Sequence, residues 1–162
     1  MDIKELKPTS IWHYFDAITG VPRPSKKEER IREFLLNFAK EQNLEVKVDK
    51  TGNVVITKEA TPGCEGAPTV ILQAHMDMVC EKNGDVKHDF ERDPIETYID
   101  GEWVKARGTT LGADNGIGMA AAMAVLADKE LKHGRIQALF TVDEETGLTG
   151  AFGLESGMID GK

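Results

Sequence analysis

The sequence predicts an α/β fold, a mixed and mostly parallel sheet with helices on both faces. Apolar residues recur at helical spacing in three segments, and runs of strand length stand between them. One run without alternation, "TVILQAH" (residues 69–75), and a later one, residues 136–142, flank a long Ala-rich helical pattern. Strand, helix, strand in that order fits a crossover between parallel strands, which is right-handed as a rule.

Along the chain, Ile11, Phe15 and Ile18 first mark one helix face, and Gly20 with Pro22 stops that helix. "SKKE" (residues 25–28) reads as a capping box: Ser25 caps, and Glu28 reaches back to the N–H of the cap. Behind it, Ile31, Phe34, Leu35 and Phe38 form the apolar stripe of an amphipathic helix. Then the period changes. Leu44, Val46 and Val48 alternate with Glu45, Lys47 and Asp49, "KTGN" turns the chain, and "VVIT" starts the return strand of a hairpin.

"ATPGCEGAP" reads as a surface loop, and residues 69–75 as a strand covered on both faces. Residues 95–99 and 102–105 read as short strands around "DG". "GIGMAAAMAVLADKEL" is a helix rich in alanine, with Met119 and Met123 in its packing face. The sequence has no internal repeat and no low-complexity tract.

The chain has 162 residues, 40% of them hydrophobic and 30% charged, enough for one domain with a core. A net charge of −8 argues against non-specific nucleic-acid binding, which needs a basic surplus. No apolar run approaches the roughly 20 residues of a membrane span. "MDIKELKPTS" has no signal core, so the cytoplasm is the expected compartment. Cys64 and Cys80 form no CxxC and read as free thiols in a reducing environment.

Three polar clusters stand where chemistry gathers in open α/β sheets, beyond the carboxyl ends of strands. These are His75-Met76-Asp77, Asp114-Asn115 inside the turn "GTTLGADNGIG", and Asp143-Glu144-Glu145. Imidazole and carboxylate donors suit a zinc-type metal ion. His75 and Asp77 share a face of an extended strand, so Asp77 suits the role of holding the second imidazole nitrogen. Of Glu144 and Glu145, one can bind metal while the other keeps lone pairs free to take a proton from water. Two divalent ions would supply the positive charge that these acids need. The bland alternative is a loop of solvated acids plus a core histidine.

Other signals are weaker. Gly116-Ile117-Gly118-Met119-Ala120-Ala121 fits a dinucleotide-binding fingerprint, yet polar "VKARGTTLGADN" precedes it instead of an apolar strand. That reading also leaves His75 and Asp77 unexplained. His13, His88 and His133 read as structural or surface residues. Arg107 either helps to position the Gly-rich turn or makes a surface salt bridge.

The motifs themselves add to this reading. "QAHMDMV", "GTTLGADNGIGMAAAMAVLAD" and "FTVDEETGLTGAFGL" resemble the co-catalytic dizinc exopeptidases, the family that holds aminoacylase and the carnosine-hydrolysing dipeptidases. Within it, "HMDMVCEKN", "HDFERDPI" and "YIDGEWVKARG" are similar to bacterial dipeptidases of the Xaa-His type, and the likeness runs from "VPRPSKKEE" onward. The resemblance implies that His75 is a ligand of one metal, Glu145 of the other, and Asp114 the carboxylate bridging both. It implies Glu144 as general base and Asp77 as the group orienting His75, while Asp143 is expected as a solvated or strand-capping acid. The cofactors implied are two divalent ions, zinc first, with manganese or cobalt accepted. The implied substrate is a small dipeptide and the full-length protein a homodimer, while charge and hydropathy leave neither nucleic acid nor membrane as an expected partner.

The chain departs from the family C-terminal to these motifs. A further acidic ligand and a distant histidine ligand are expected, and Asp160 comes too early to be the first of them. Residues 1–162 are therefore expected to be the N-terminal part of a catalytic domain truncated at its C-terminus, with the rest of that domain and a lid or dimerisation domain absent. Such a fragment is expected to bind metal weakly and to turn over poorly or not at all. The competing expectation is an inert or self-associating fragment with uncovered apolar surface.

Overall fold

The computed structural model describes residues 2–161. After a short 3-10 turn at Ile3–Glu5, the elements are α1 (Thr9–Thr19), α2 (Glu29–Glu41), β1 (Glu45–Val48), β2 (Val54–Lys58) and β3 (Val70–His75). Next come β4 (Thr97–Asp100), β5 (Trp103–Ala106), α3 (Ala113–Ala127), β6 (Ile136–Thr141) and α4 (Thr149–Phe152). Among the described residues, no helix is long and apolar enough to cross a membrane.

The main sheet is mixed, with strand order β1-β2-β6-β3. β3 and β6 pair in parallel, with Val70 opposite Ile136 and His75 opposite Thr141. The other two ladders, β1 with β2 and β2 with β6, are antiparallel. The expectation of a mostly parallel sheet is corrected here: the hairpin return strand β2 inserts beside β6, so only the β3-α3-β6 unit contributes a parallel pair. β4 and β5 form a separate antiparallel hairpin.

Side-chain alternation sorts the sheet into two faces. Val54, Ile56, Ala74, Ala138 and Phe140 pack with Phe15, Ile18, Ile31, Leu35, Met119 and Met123, so α1, α2 and α3 lie over one face. Val55 and Leu139 point the other way, against Met158 with Leu154 and Ile159 beside it. Among the described residues, the cover of that second face is the irregular segment after α4, which brings Leu154, Met158 and Ile159, a thinner layer than the expected helices. β6 is buried along its whole length. β3 is half exposed at its start and buried at Ala74 and His75, so the expectation of a strand covered on both faces fails in its first half. The reason is position, since β3 is an edge of the sheet among the described residues.

Two local expectations also change. Ser25 does not cap α2: Glu28 occupies the N-cap position, and no side chain makes the capping bond. Both residues are engaged instead at the carboxyl edge of the sheet. α3 stops at Ala127, short of the expected end, because Asp128 turns extended and its carboxylate accepts the N–H groups of Glu130 and Leu131.

Phe140 sits fully buried in the central strand, where truncation leaves a cavity that close packing cannot refill. Phe140→Ala is expected to lower unfolding stability by about 3–5 kcal/mol, measured by chemical denaturation.

Candidate functional site

The site lies at the carboxyl ends of β3 and β6, where the start of α3 meets them. β3 delivers His75, and the chain continues through Met76 to Asp77, which is fully buried. Asp77 is the hub. Its carboxylate accepts the Ser25 hydroxyl at 2.7 Å, the Glu144 N–H at 3.0 Å and the Glu145 N–H at 3.2 Å. Its Oδ1 lies 3.3 Å from His75 Nδ1, and its carbonyl oxygen lies 3.0 Å from the same nitrogen. Burial alone would raise the Asp77 pKa, but His75, Ser25 and the two N–H groups outweigh it and hold the carboxyl well below the usual range.

The turn before α3 brings Asp114. Gly112 stands at the helix N-cap with φ of 70, a left-handed conformation suited to glycine. Asp114 and Asn115 depart from helical geometry, so the regular helix begins after them and Asp114 is free to turn toward β3. Asp114 Oδ1 lies 3.0 Å from His75 Nε2, while the carboxylate is otherwise 85% exposed.

After β6, Asp143 passes through the left-handed region with φ of 49. This turn directs the N–H groups of Glu144 and Glu145 back at Asp77 and leaves both side chains at the rim. Glu144 Oε2 lies 3.7 Å from His75 Nε2. His75, Glu144 and Glu145 each offer a ligand atom within 4.8 Å of one another. Burial, with the neighbouring Glu144, Asp114 and Asp77 charges, raises the Glu145 pKa against the pull of His75.

The structure thus brings together His75, Asp77, Asp114, Glu144 and Glu145. The donor set fits a divalent cation: the Nδ1 side of His75 is engaged by Asp77, and Nε2 faces a rim of carboxylates open to solvent. Of the two roles expected of Asp143, solvated or strand-capping acid, its burial removes the first. Its carboxylate accepts the hydroxyls of Thr146, at 2.5 Å, and of Thr149.

The segment before α2 supplies residues whose sequence pattern signals helix capping. Ser25 serves Asp77, while Glu28 accepts the N–H groups of Lys26 and Asp143, each at 2.9 Å. Burial raises the Glu28 pKa, against the pull of these N–H groups. Arg23, the third residue of this segment at the site, is buried beneath the centre. A Ser-x-x-Glu pattern signals a cap equally well, so nothing local distinguishes the two uses.

His13 stacks edgewise on Tyr14, and His88 packs on Phe90. Nε2 of His88 and of His133 is buried without a hydrogen-bond partner. Arg107 lies over the Tyr98 ring and pairs with Glu96 at 3.9 Å, so it makes the surface contact. Cys64 and Cys80 are free thiols. The dinucleotide fingerprint lacks its strand, because β5 ends at Ala106 and belongs to the separate hairpin.

A family model, Peptidase family M20/M25/M40, matches residues 71–162, the stretch that carries all five of these residues. The chain belongs to this family. It is 53% identical over 154 residues to the cytosol non-specific dipeptidase of Escherichia coli, covering 95% of this chain and 32% of that protein. The aminoacylhistidine dipeptidase of Vibrio alginolyticus superposes with a TM-score of 0.97 at 57% identity, covering 99% of this chain and 33% of that one. A tripeptidase from Staphylococcus aureus superposes with a TM-score of 0.79 at 25% identity, covering 96% of this chain and 42% of that one. The chain therefore spans about a third of the length of the first two relatives.

His75 sets how cation binding depends on pH. Burial opposes its charged form, but hydrogen bonds to Asp77 and Asp114 and the charges of Asp77 and Glu144 outweigh this, pushing the pKa from 6.5 up to about 9. The stabilisation from that raised pKa is fully present below 6.5 and lost as pH rises through about 9. A cation on Nε2 must displace the proton. Affinity for a divalent ion is therefore expected to rise about tenfold per pH unit up to that pKa and then level off, read by calorimetric titration. A flat profile would contradict this coupling.

Proposed function

We propose that this chain forms the N-terminal part of a metallopeptidase catalytic domain, and that the protein at its natural length hydrolyses the peptide bond of small dipeptides. The observation that carries the reading is the convergence of four carboxylates, drawn from two strand ends and a helix start, on the imidazole of His75: Asp77 at Nδ1, Asp114 and Glu144 at Nε2, and Glu145 beside them. The names of the Escherichia coli and Vibrio relatives support dipeptides as substrates. One is called non-specific and the other aminoacylhistidine, which supports C-terminal histidine as one accepted residue among others. The cytosolic label of the Escherichia coli relative supports the cytoplasm as the compartment. The homodimer rests on the family resemblance.

Two divalent ions would be held by His75 and Glu145, one each, with Asp114 shared between them. Zinc suits these nitrogen and oxygen donors, and manganese or cobalt would accept them. When bound, the ions supply the positive charge that acidifies water and polarises a peptide carbonyl. The chain's own residues do the rest. Asp77 holds the Nδ1 proton of His75 and so leaves the Nε2 lone pair facing the site. Glu144 stands at the rim with its N–H spent on Asp77 and its carboxylate half exposed, so it is free to take a proton from water and deliver it to the leaving amine.

Donor counting supports the same view of the domain. If each ion takes about four donors, His75, Glu145, shared Asp114 and a shared water leave each one protein ligand short. Residues 1–162 alone are expected to bind metal weakly and turn over poorly.

In the natural-length protein, Glu144→Gln is expected to lower kcat for an Xaa-His dipeptide about 10²–10⁴-fold with metal content unchanged by elemental analysis. Full activity in that variant would remove Glu144 as the base. A metal-loaded wild-type protein that cleaves no dipeptide would overturn the proposal as a whole.

A further inference from the structure

Among the described residues, Arg23 is the largest side chain with almost no exposure, at 2%, and the proposed mechanism gives it no task. It stands between Pro22 and Pro24, which hold the backbone extended. Its main chain runs beside the continuation of β3: Pro24 bridges to Met78 in parallel, and the Met78 N–H donates to the Arg23 carbonyl at 3.2 Å.

The guanidinium makes an unusual choice of partners. Nη1 donates to the carbonyls of Met76 and Asp77, both at 3.0 Å, and Nη2 donates to the carbonyl of Gly112. Among the described residues, these hydrogen bonds all go to main-chain carbonyls, although the carboxylates of Asp77 and Glu145 act on its charge. Met76 and Asp77 directly follow His75, and Gly112 closely precedes Asp114. A single planar group therefore ties the strand end that carries the imidazole to the turn that carries the aspartate. It does so without occupying a carboxylate oxygen that an ion would need.

The glycines of the turn are shaped to this group. A Cβ on Gly112 would stand 2.6 Å from Nη2 and 2.7 Å from Met78 Sδ, and one on Gly116 would stand 2.8 Å from Nη2. Burial lowers the Arg23 pKa to about 10, with Asp77, Cys80 and Glu145 pulling it back, so it remains a cation at neutral pH. A lysine ammonium carries its charge as a point on a flexible stem and cannot present the same fork to three carbonyls.

We propose that Arg23 is a positioning residue for the metal centre: its buried guanidinium clamps the His75 strand end to the Asp114 turn and so presets the spacing of those two donors. The inference rests on the metal reading of the site. The test uses the natural-length protein, its Arg23→Lys and Arg23→Ala variants, cobalt(II) titration followed by visible absorption, and circular dichroism to verify folding. Folded variants are expected to lose about tenfold to a hundredfold in cobalt affinity and to show an altered ligand-field band. Wild-type affinity and band shape in either folded variant overturn the proposal.

A measurement on the wild-type protein decides the matter even if both variants misfold. Nitrogen-15 spectra are expected to show separate, slowly rotating Nη signals for Arg23, and a single averaged signal overturns the clamp. Absence of cobalt binding by the wild type would instead bring down the metal reading, and this inference with it.

Discussion

The buried carboxylate of Asp77 is the constraint on which the centre depends. A charge fully removed from water must be met by donors, or it costs several kcal/mol. Its donors come from three places in the chain: the Ser25 hydroxyl, the N–H groups of Glu144 and Glu145, and the imidazole of His75. Satisfying one acid therefore fixes the relative placement of the segment before α2, the end of β3 and the end of β6. The same contacts decide which nitrogen of His75 faces outward and where the paired glutamates stand.

The run of three acids after β6 is resolved by separating its members. Asp143 turns inward, where two threonine hydroxyls meet it. Glu144 and Glu145 give their backbone N–H groups to Asp77 and keep their carboxylates at the rim. Repulsion among them is lowered by geometry, by the His75 imidazolium and by the buried Arg23 cation close to Glu145. The turn that permits this is anchored from behind, where Asn53 accepts the Val142 N–H at 3.1 Å and donates to the Gly150 carbonyl at 2.8 Å.

The sheet explains why these groups meet. Parallel pairing of β3 with β6, with α3 crossing between them, places two strand ends and one helix start at the same edge. Antiparallel insertion of β2 on the far side of β6 buries that central strand without disturbing the edge. α1 and α2 complete the cover of one face, whereas among the described residues the second face is thinly covered.

Much of this was legible in the sequence because it is periodic or local. Helix and strand patterns marked α1, α2, the β1–β2 hairpin and β6; four of the five polar residues stood out because acids and a histidine ending apolar runs require a reason, and Asp114 because it sits in a Gly-rich turn that opens a helix. What tertiary structure alone decided was partnership. That β2 would join β6, that β3 would lie at an edge among the described residues, and that Ser25 and Glu28 would serve Asp77 and Asp143 instead of a helix end all depend on contacts between distant segments. Arg23 shows the physical reason most clearly: its residue type announces a planar fork of donors, but only the folded chain determines which carbonyls come within its reach.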